Sequence, residues 1–148
     1  MSIFLHKRHN FTILLYHIVC PAKYRKVVFS EEVDNTMKHI CLEITERYEI
    51  HFLEIGTDKD HVHFLVQSVP TYSLTKIVRT IKSITAREIF RRIPKVKKLL
   101  WGGEFWTDGY FVNTIGRNGS EDAIRQYVKE QGIEKEYNQL YIEQLKLF

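Results

Sequence analysis

Two histidines one residue apart, His61-Val62-His63, open a run of strand-forming residues that continues Phe64-Leu65-Val66. On a strand, residues i and i+2 share a face, so both imidazoles project together while Val62, Phe64 and Val66 turn the other way. Two imidazoles so placed can share one divalent ion. The plainer alternative is one core histidine beside one surface histidine, and the motif alone does not choose. Tyr127 and Gln131 make a second pair, four residues apart in a stretch of helical spacing. That spacing puts them on one helix face, about 6 Å apart along the axis. Ile124, Tyr127, Val128 and Gln131 also fit a packing stripe, and spacing by itself favours packing over chemistry. A third group is basic. Lys76, Arg79, Lys82 and Arg87 recur beside an apolar helical stripe, so a phosphate backbone could lie along them, although a run of charge is more often a solvated face. The aromatics Trp101, Phe105, Trp106 and Tyr110 follow, suited either to stacking on exposed bases or to a core. There is no GxxxxGK[ST], GxGxxG or cysteine-based zinc pattern, so ATP-driven chemistry is not expected.

The elements that must carry these residues alternate in type. Thr12–Val19, rich in β-branched and aromatic residues, reads as a buried strand stopped by Pro21, with a basic loop Lys23-Tyr24-Arg25-Lys26 beyond it. A helix follows, with Ser30 as N-cap, Glu31 and Glu32 complementing its positive end, and Val33, Met37, Ile40, Cys41, Ile44 and Tyr48 on one stripe. Ile50–Ile55 and His61–Val69 read as a hairpin around Gly56–Asp60. Ser73–Arg92 returns to helical spacing, with Leu74, Ile77, Val78, Ile81 and Ile84 as its apolar face. A turn-rich segment, Leu99–Gly109, leads to a fourth strand at Tyr110–Ile115. After Gly116-Arg117-Asn118-Gly119, a helix from Ser120 to about Gln131 is closed by Gly132, and Ile133–Phe148 has the pattern of a last amphipathic helix. The order β-α-β-β-α-β is the split βαβ of an α+β, ferredoxin-like (RRM-like) domain, an antiparallel sheet with helices on one face. That fold hosts many functions and decides none of them.

The 148 residues suit a single domain, and a chain of this length buries enough surface to fold without a disulfide or a metal. Lys plus Arg exceed Asp plus Glu by 22 to 18, a net +4 that permits a nucleic-acid partner without requiring one. Cys20 and Cys41 form no CxxC pair and suggest a reducing compartment. The basic N-terminus lacks the apolar stretch of a signal peptide, and no apolar run is long enough to span a bilayer, so a cytoplasmic protein without a membrane partner is expected.

Taken together, these blocks resemble the single-tyrosine HUH transposases of the insertion-sequence 200/605 group. The resemblance is carried by Tyr16-His17-Ile18-Val19 with Lys23-Tyr24-Arg25, by Asp58 through Val66, by Phe105-Trp106 and Gly109 through Val112, by Ile115-Gly116, and by Gln126 through Gln131. The blocks run in family order across almost the whole chain. Cys20-Pro21-Ala22 departs from the Trp-Cys-Pro that members often have before the lysine.

The resemblance implies cleavage and rejoining of single-stranded DNA at insertion-sequence ends through a 5′-phosphotyrosine, without ATP. By motif, His61 and His63 become ligands of Mg²⁺ or Mn²⁺, Gln131 the third ligand and Tyr127 the nucleophile. Lys23, Arg25, Lys76, Arg79, Lys82 and Arg87 become candidate contacts to single-stranded DNA with end hairpins. The resemblance also implies a homodimer whose sites are shared in trans, with 117–132 a mobile catalytic helix, Gly116 and Gly119 its hinge, and 133–148 a helical tail, all within one domain spanning 1–148. A relative that processes repeated hairpins would use the same residues. A non-catalytic nucleic-acid-binding module of the same fold would bind without forming a covalent adduct.

Overall fold

The pattern of β-branched runs separated by amphipathic stripes resolves, in a computed structural model, into four strands and three helices; the structure describes residues 14–100 and 102–115. In chain order these are β1 (Leu14–Pro21), α1 (Glu31–Arg47), β2 (Ile50–Thr57), β3 (His61–Ser68), α2 (Leu74–Arg92), α3 (Pro94–Leu99) and β4 (Phe111–Ile115), with a short 3-10 turn at Lys23–Arg25. The strands lie in the order β2-β3-β1-β4, and every neighbouring pair is antiparallel. This is the α+β, ferredoxin-like arrangement that the element order implies, with α1 and α2 packed on one face of the sheet. The expected tyrosine-bearing helix and tail, 117–148, lie outside the described residues.

Alternation decides which residues meet the helices. Ile18 and Cys20 of β1, Phe52 and Ile55 of β2, and Val62, Phe64 and Val66 of β3 point towards α1 and α2 and join their buried stripes in one core. From α1 come Val33, Met37, Ile40, Cys41 and Ile44, and from α2 Ile77, Val78, Ile81, Ile84 and Ile89. Each fully buried Ile or Phe contributes roughly 1.5–3 kcal/mol. Both helices begin on a serine: the Ser30 hydroxyl accepts from Val33 N at 3.2 Å and the Ser73 hydroxyl from Lys76 N at 3.0 Å. The two cysteines are free and buried in the core, and burial pushes the Cys20 thiol up to about 12. No helix among the described residues is long and apolar enough to cross a membrane.

The boundaries differ from the sequence reading in ways that bear on the site. β1 runs to Pro21, two residues past Val19, because a proline at the end of a strand gives up only a terminal N–H and still pairs with His61. Its carbonyl accepts from Thr107 N at 3.0 Å, and Ala22 N donates to Asp60 O at 2.8 Å. β2 continues to Thr57, whose hydroxyl donates to Asp34 at the start of α1 at 2.8 Å. The hairpin turn therefore shortens to Asp58-Lys59-Asp60, closed by Asp58 N donating to His61 O at 2.9 Å. α3, which the sequence reading did not separate, starts on Pro94 at a position where the missing N–H is harmless.

Candidate active site

His61 and His63 project from the face of β3 turned away from α1 and α2, as the period of two requires. Their Nε2 atoms stand 3.0 Å apart. Around an octahedral ion with bonds of about 2.1 Å, two adjacent ligand atoms stand about 3.0 Å apart, so this pair has the spacing of two neighbouring ligands on one divalent ion. In each ring the other nitrogen is held from behind. Asp60 Oδ1 lies 2.8 Å from His61 Nδ1, and a carboxylate there accepts, so Nδ1 carries a proton and the neutral ring has its lone pair on Nε2. His63 Nδ1 lies 3.1 Å from Nε2 of His17 on β1. Asp58 sits at the edge of the pair, one carboxylate oxygen 3.8 Å from His61 Nε2.

Register explains why these groups meet. Pro21 is paired with His61, Val19 with His63 and His17 with Leu65, so His17 is the diagonal neighbour of His63 on the same face. On the other side of β3, His63 is paired with Gly56, which offers no side chain to cover the ring. His63 and His17 are both pulled towards the neutral form. Burial lowers the pKa of His63, with His17 and His61 adding to it, and burial lowers that of His17. Among the described residues no group of three or more His, Cys, Asp or Glu is set to hold a metal ion. The described residues thus bring two imidazoles together at this point. Tyr127, Gln131 and the expected hinge residues Gly116 and Gly119 lie outside the described residues.

The candidate DNA contacts fall into separate places. Lys23 stands in the turn after β1, next to the His61 end of the sheet, and pairs with Glu104 at 2.7 Å; that hydrogen bond raises the lysine and lowers the glutamate. Arg25 shares the turn. Lys76 and Arg79 are exposed on α2, and Lys76 Nζ lies 4.3 Å from the centre of the Tyr72 ring. Arg79 and Lys82 line a cleft of about 510 Å³ between α2 and the segment 103–110, with Tyr110 on its rim. Lys82 is engaged there, donating to the carbonyls of Thr107 at 2.7 Å and Asp108 at 3.3 Å. Arg87 opens on a different groove, between α1 and α2, beside Glu43, Glu46 and Glu88.

The aromatic cluster resolves mostly into core. Phe105 and Trp106 are 1% and 5% exposed, against 37% for Tyr110, so the first two are no stacking platform. Trp106 is held there by its indole N–H, which donates to Thr85 Oγ1 at 3.0 Å, and by edge contact with Phe64. Trp101 lies outside the described residues. Sequence reasoning assigned no role to His17 or Asp60. Asp60 could have been found from its place beside His61, whereas the partner of His17 is 46 residues away and only strand register reveals it.

A face bearing two convergent imidazoles, next to a basic turn, suits a metal-assisted reaction on a phosphate. Residues 10–131 match the family described as transposase IS200 like. The chain is 30% identical over 118 residues to the ISDra2 transposase TnpA of Deinococcus radiodurans, covering 80% of this chain and 84% of that protein. It is 29% identical over 116 residues to the transposase for insertion sequence element IS200 of Salmonella typhimurium, covering 78% and 75%. A crystal structure of a candidate transposase from Deinococcus radiodurans superposes with a TM-score of 0.69 at 28% identity, over 86% of this chain and 98% of that one. A REP-associated tyrosine transposase bound to a REP hairpin shares the fold at a TM-score of 0.52 and 11% identity, over 91% and 77%. The chain belongs to the IS200-like transposase family.

Proposed function

We propose that this chain cuts and rejoins single-stranded DNA at insertion-sequence ends, with Tyr127 as nucleophile and a divalent cation held by His61, His63 and Gln131. The observation that carries the reading is the pair of Nε2 atoms 3.0 Å apart, each ring backed at Nδ1 by a second polar group. If both nitrogens present lone pairs, a cation between them holds the rings at this distance; otherwise one ring donates an N–H to the other. A bound Mg²⁺ or Mn²⁺ would polarise the scissile phosphate and stabilise the charge that builds on it. Two imidazole ligands lean towards Mn²⁺, and abundance in cells towards Mg²⁺.

The chain's own groups account for the rest. The Tyr127 phenol attacks phosphorus, the Oη–P bond forms and the P–O3′ bond breaks. The phenol loses a proton and the departing 3′ oxygen gains one, so the products are a 5′-phosphotyrosine and a free 3′-OH. With an ordinary pKa near ~10, only about one tyrosine in a thousand is ionised at pH 7, so the phosphate must be activated for the attack to proceed. The phosphotyrosyl bond keeps the energy of the broken linkage, and a second 3′-OH can reseal it without ATP. Lys23, Arg25, Lys76, Arg79, Lys82 and Arg87 are the proposed contacts to the DNA and its end hairpin, Lys23 and Arg25 standing in the turn after β1, whose last residue pairs with His61. The protein works as a homodimer in which the helix 117–132, released at Gly116 and Gly119, completes the partner's site.

The test is a denaturant-resistant protein–DNA adduct on a single strand carrying the element's own end hairpin, with Mn²⁺ or Mg²⁺ and with EDTA. The adduct should need the metal, vanish in Tyr127→Phe and in His61→Ala, and be absent on duplex DNA. Tight binding of the cognate strand with no adduct under any metal would instead make the chain a non-catalytic binding module.

A further inference from the structure

We propose that His17 is a positioning residue for His63, accepting a hydrogen bond from its Nδ1 and so keeping the proton off the Nε2 that faces His61. The inference rests on the metal reading of His61 and His63.

The geometry is specific. His17 Nε2 and His63 Nδ1 are 3.1 Å apart, the two rings are within 17° of parallel, and their centres are 5.2 Å apart. That centre separation is close to the N–N distance plus the two ring radii, as for a bond lying in the ring planes and unlike a face-to-face stack. A neutral imidazole has one N–H and one lone pair. If His63 donates from Nδ1 to His17, its lone pair is at Nε2, aimed at the Nε2 of His61 3.0 Å away. His17 must then accept at Nε2 and carry its own proton on Nδ1. The two nitrogens of one imidazole point in divergent directions, so His17 stands behind His63 and not beside it as a further ligand. The arrangement repeats at His61, where Asp60 holds Nδ1 at 2.8 Å. One ligand is backed by a carboxylate and the other by an imidazole, and such outer partners fix both the tautomer and the direction of the ligating lone pair.

The placement follows from the sheet. β1 is an inner strand, paired with β3 on one side and β4 on the other, so its backbone gives His17 little room to shift relative to His63. His17 and His63 are each half-buried, and the contact is partly screened from water that would compete for it.

Mn²⁺ uptake, followed by loss of the free-ion EPR signal, decides the matter in wild type, His61→Ala, His17→Gln and His17→Leu, each also melted without metal. The amide oxygen of Gln reaches about where the imidazole Nε2 sits and can accept from His63, whereas Leu fills the space without an acceptor. His17→Leu should weaken Mn²⁺ binding about 10–100-fold, with His17→Gln close to wild type. The positioning role is overturned if His17→Leu melts lower yet binds Mn²⁺ as tightly as wild type, or if the folded His17→Gln protein loses as much affinity as His17→Leu. His17→Met supplies the apolar arm should His17→Leu not fold. A wild type that takes up no Mn²⁺, or a His61→Ala protein that takes it up equally well, would instead remove the metal centre itself, and the role of His17 with it.

Discussion

Histidines on the same sheet face respond differently to burial. His51 of β2, paired with Gln67, is 6% exposed, and burial draws its pKa down from the ordinary 6.5 to about 4. A histidine whose folded pKa lies below its unfolded value favours folding when neutral. Its contribution is whole above about pH 6.5 and is lost as the pH falls towards 4, because the unfolded chain takes up the proton first. The shift corresponds to about 3 kcal/mol across that window. His51→Gln should therefore show a smaller fall in Tm between pH 7 and pH 4 than wild type, measured side by side by calorimetry. Equal slopes would mean that His51 does not govern this acid sensitivity. Residues of this kind were only partly legible in advance. His61 and His63 could be placed on one face because two residues is the period of a strand. Nothing in the sequence distinguishes a lone histidine such as His17 or His51 in an apolar run, since its neighbours come from other strands. Tyr127 and Gln131 were paired by helical spacing and given their roles by family resemblance, and both lie outside the described residues.

At the scale of elements, amphipathic helices were readable and irregular joints were not. The stripe Val33, Met37, Ile40, Cys41 and Ile44 is the buried face of α1, because a helix on one side of a sheet has to alternate every three to four residues. The bulge that shifts register between Phe52 and Glu54 has no such signature, since an extra residue in a buried strand leaves composition unchanged. α3 was missed because six residues carry too little periodicity, Val96 being its one buried side chain. Leu99–Gly109 was read as a turn-rich aromatic stretch, and the joints of its described residues explain how it leads into β4. Lys23 N donates to Phe105 O at 2.8 Å, and Ala22 and Trp106 form an isolated bridge. Thr85, fully buried, passes the hydrogen bond it receives from Trp106 on to Ile81 O at 2.6 Å. Trp106→Phe keeps most of the packing and removes the indole donor, and should cost about 1 kcal/mol. Trp106→Ala also opens a cavity against Phe64 and Phe105, and should cost about 3–5 kcal/mol. Urea unfolding separates the two. If both variants lost the same small amount, the segment would not be anchored through this side chain.

At the scale of the whole molecule, the question is how many chains make one site. The described part of the chain brings two imidazoles together and ends at β4, beside the strand that carries His17. The proposed nucleophile and third ligand follow Gly116 and Gly119 in the sequence, and the helix proposed for them would close either on its own sheet or on a partner's. Two differently tagged chains, one Tyr127→Phe and one His61→Ala, purified together as a heterodimer, distinguish these arrangements. If each helix serves its own sheet, one subunit lacks the nucleophile and the other a ligand, and no adduct forms. If the helices are exchanged, His61 and His63 of the Tyr127→Phe subunit meet Tyr127 of the other, one of two sites is whole, and roughly half the wild-type adduct is expected. The adduct then has to sit on the His61→Ala subunit, because only that chain retains the tyrosine. Gel mobility of the two tagged chains reads this directly. Adduct on that subunit establishes exchange, whereas a heterodimer inactive beside an active wild-type dimer assigns each helix to its own sheet and removes the trans arrangement from the mechanism.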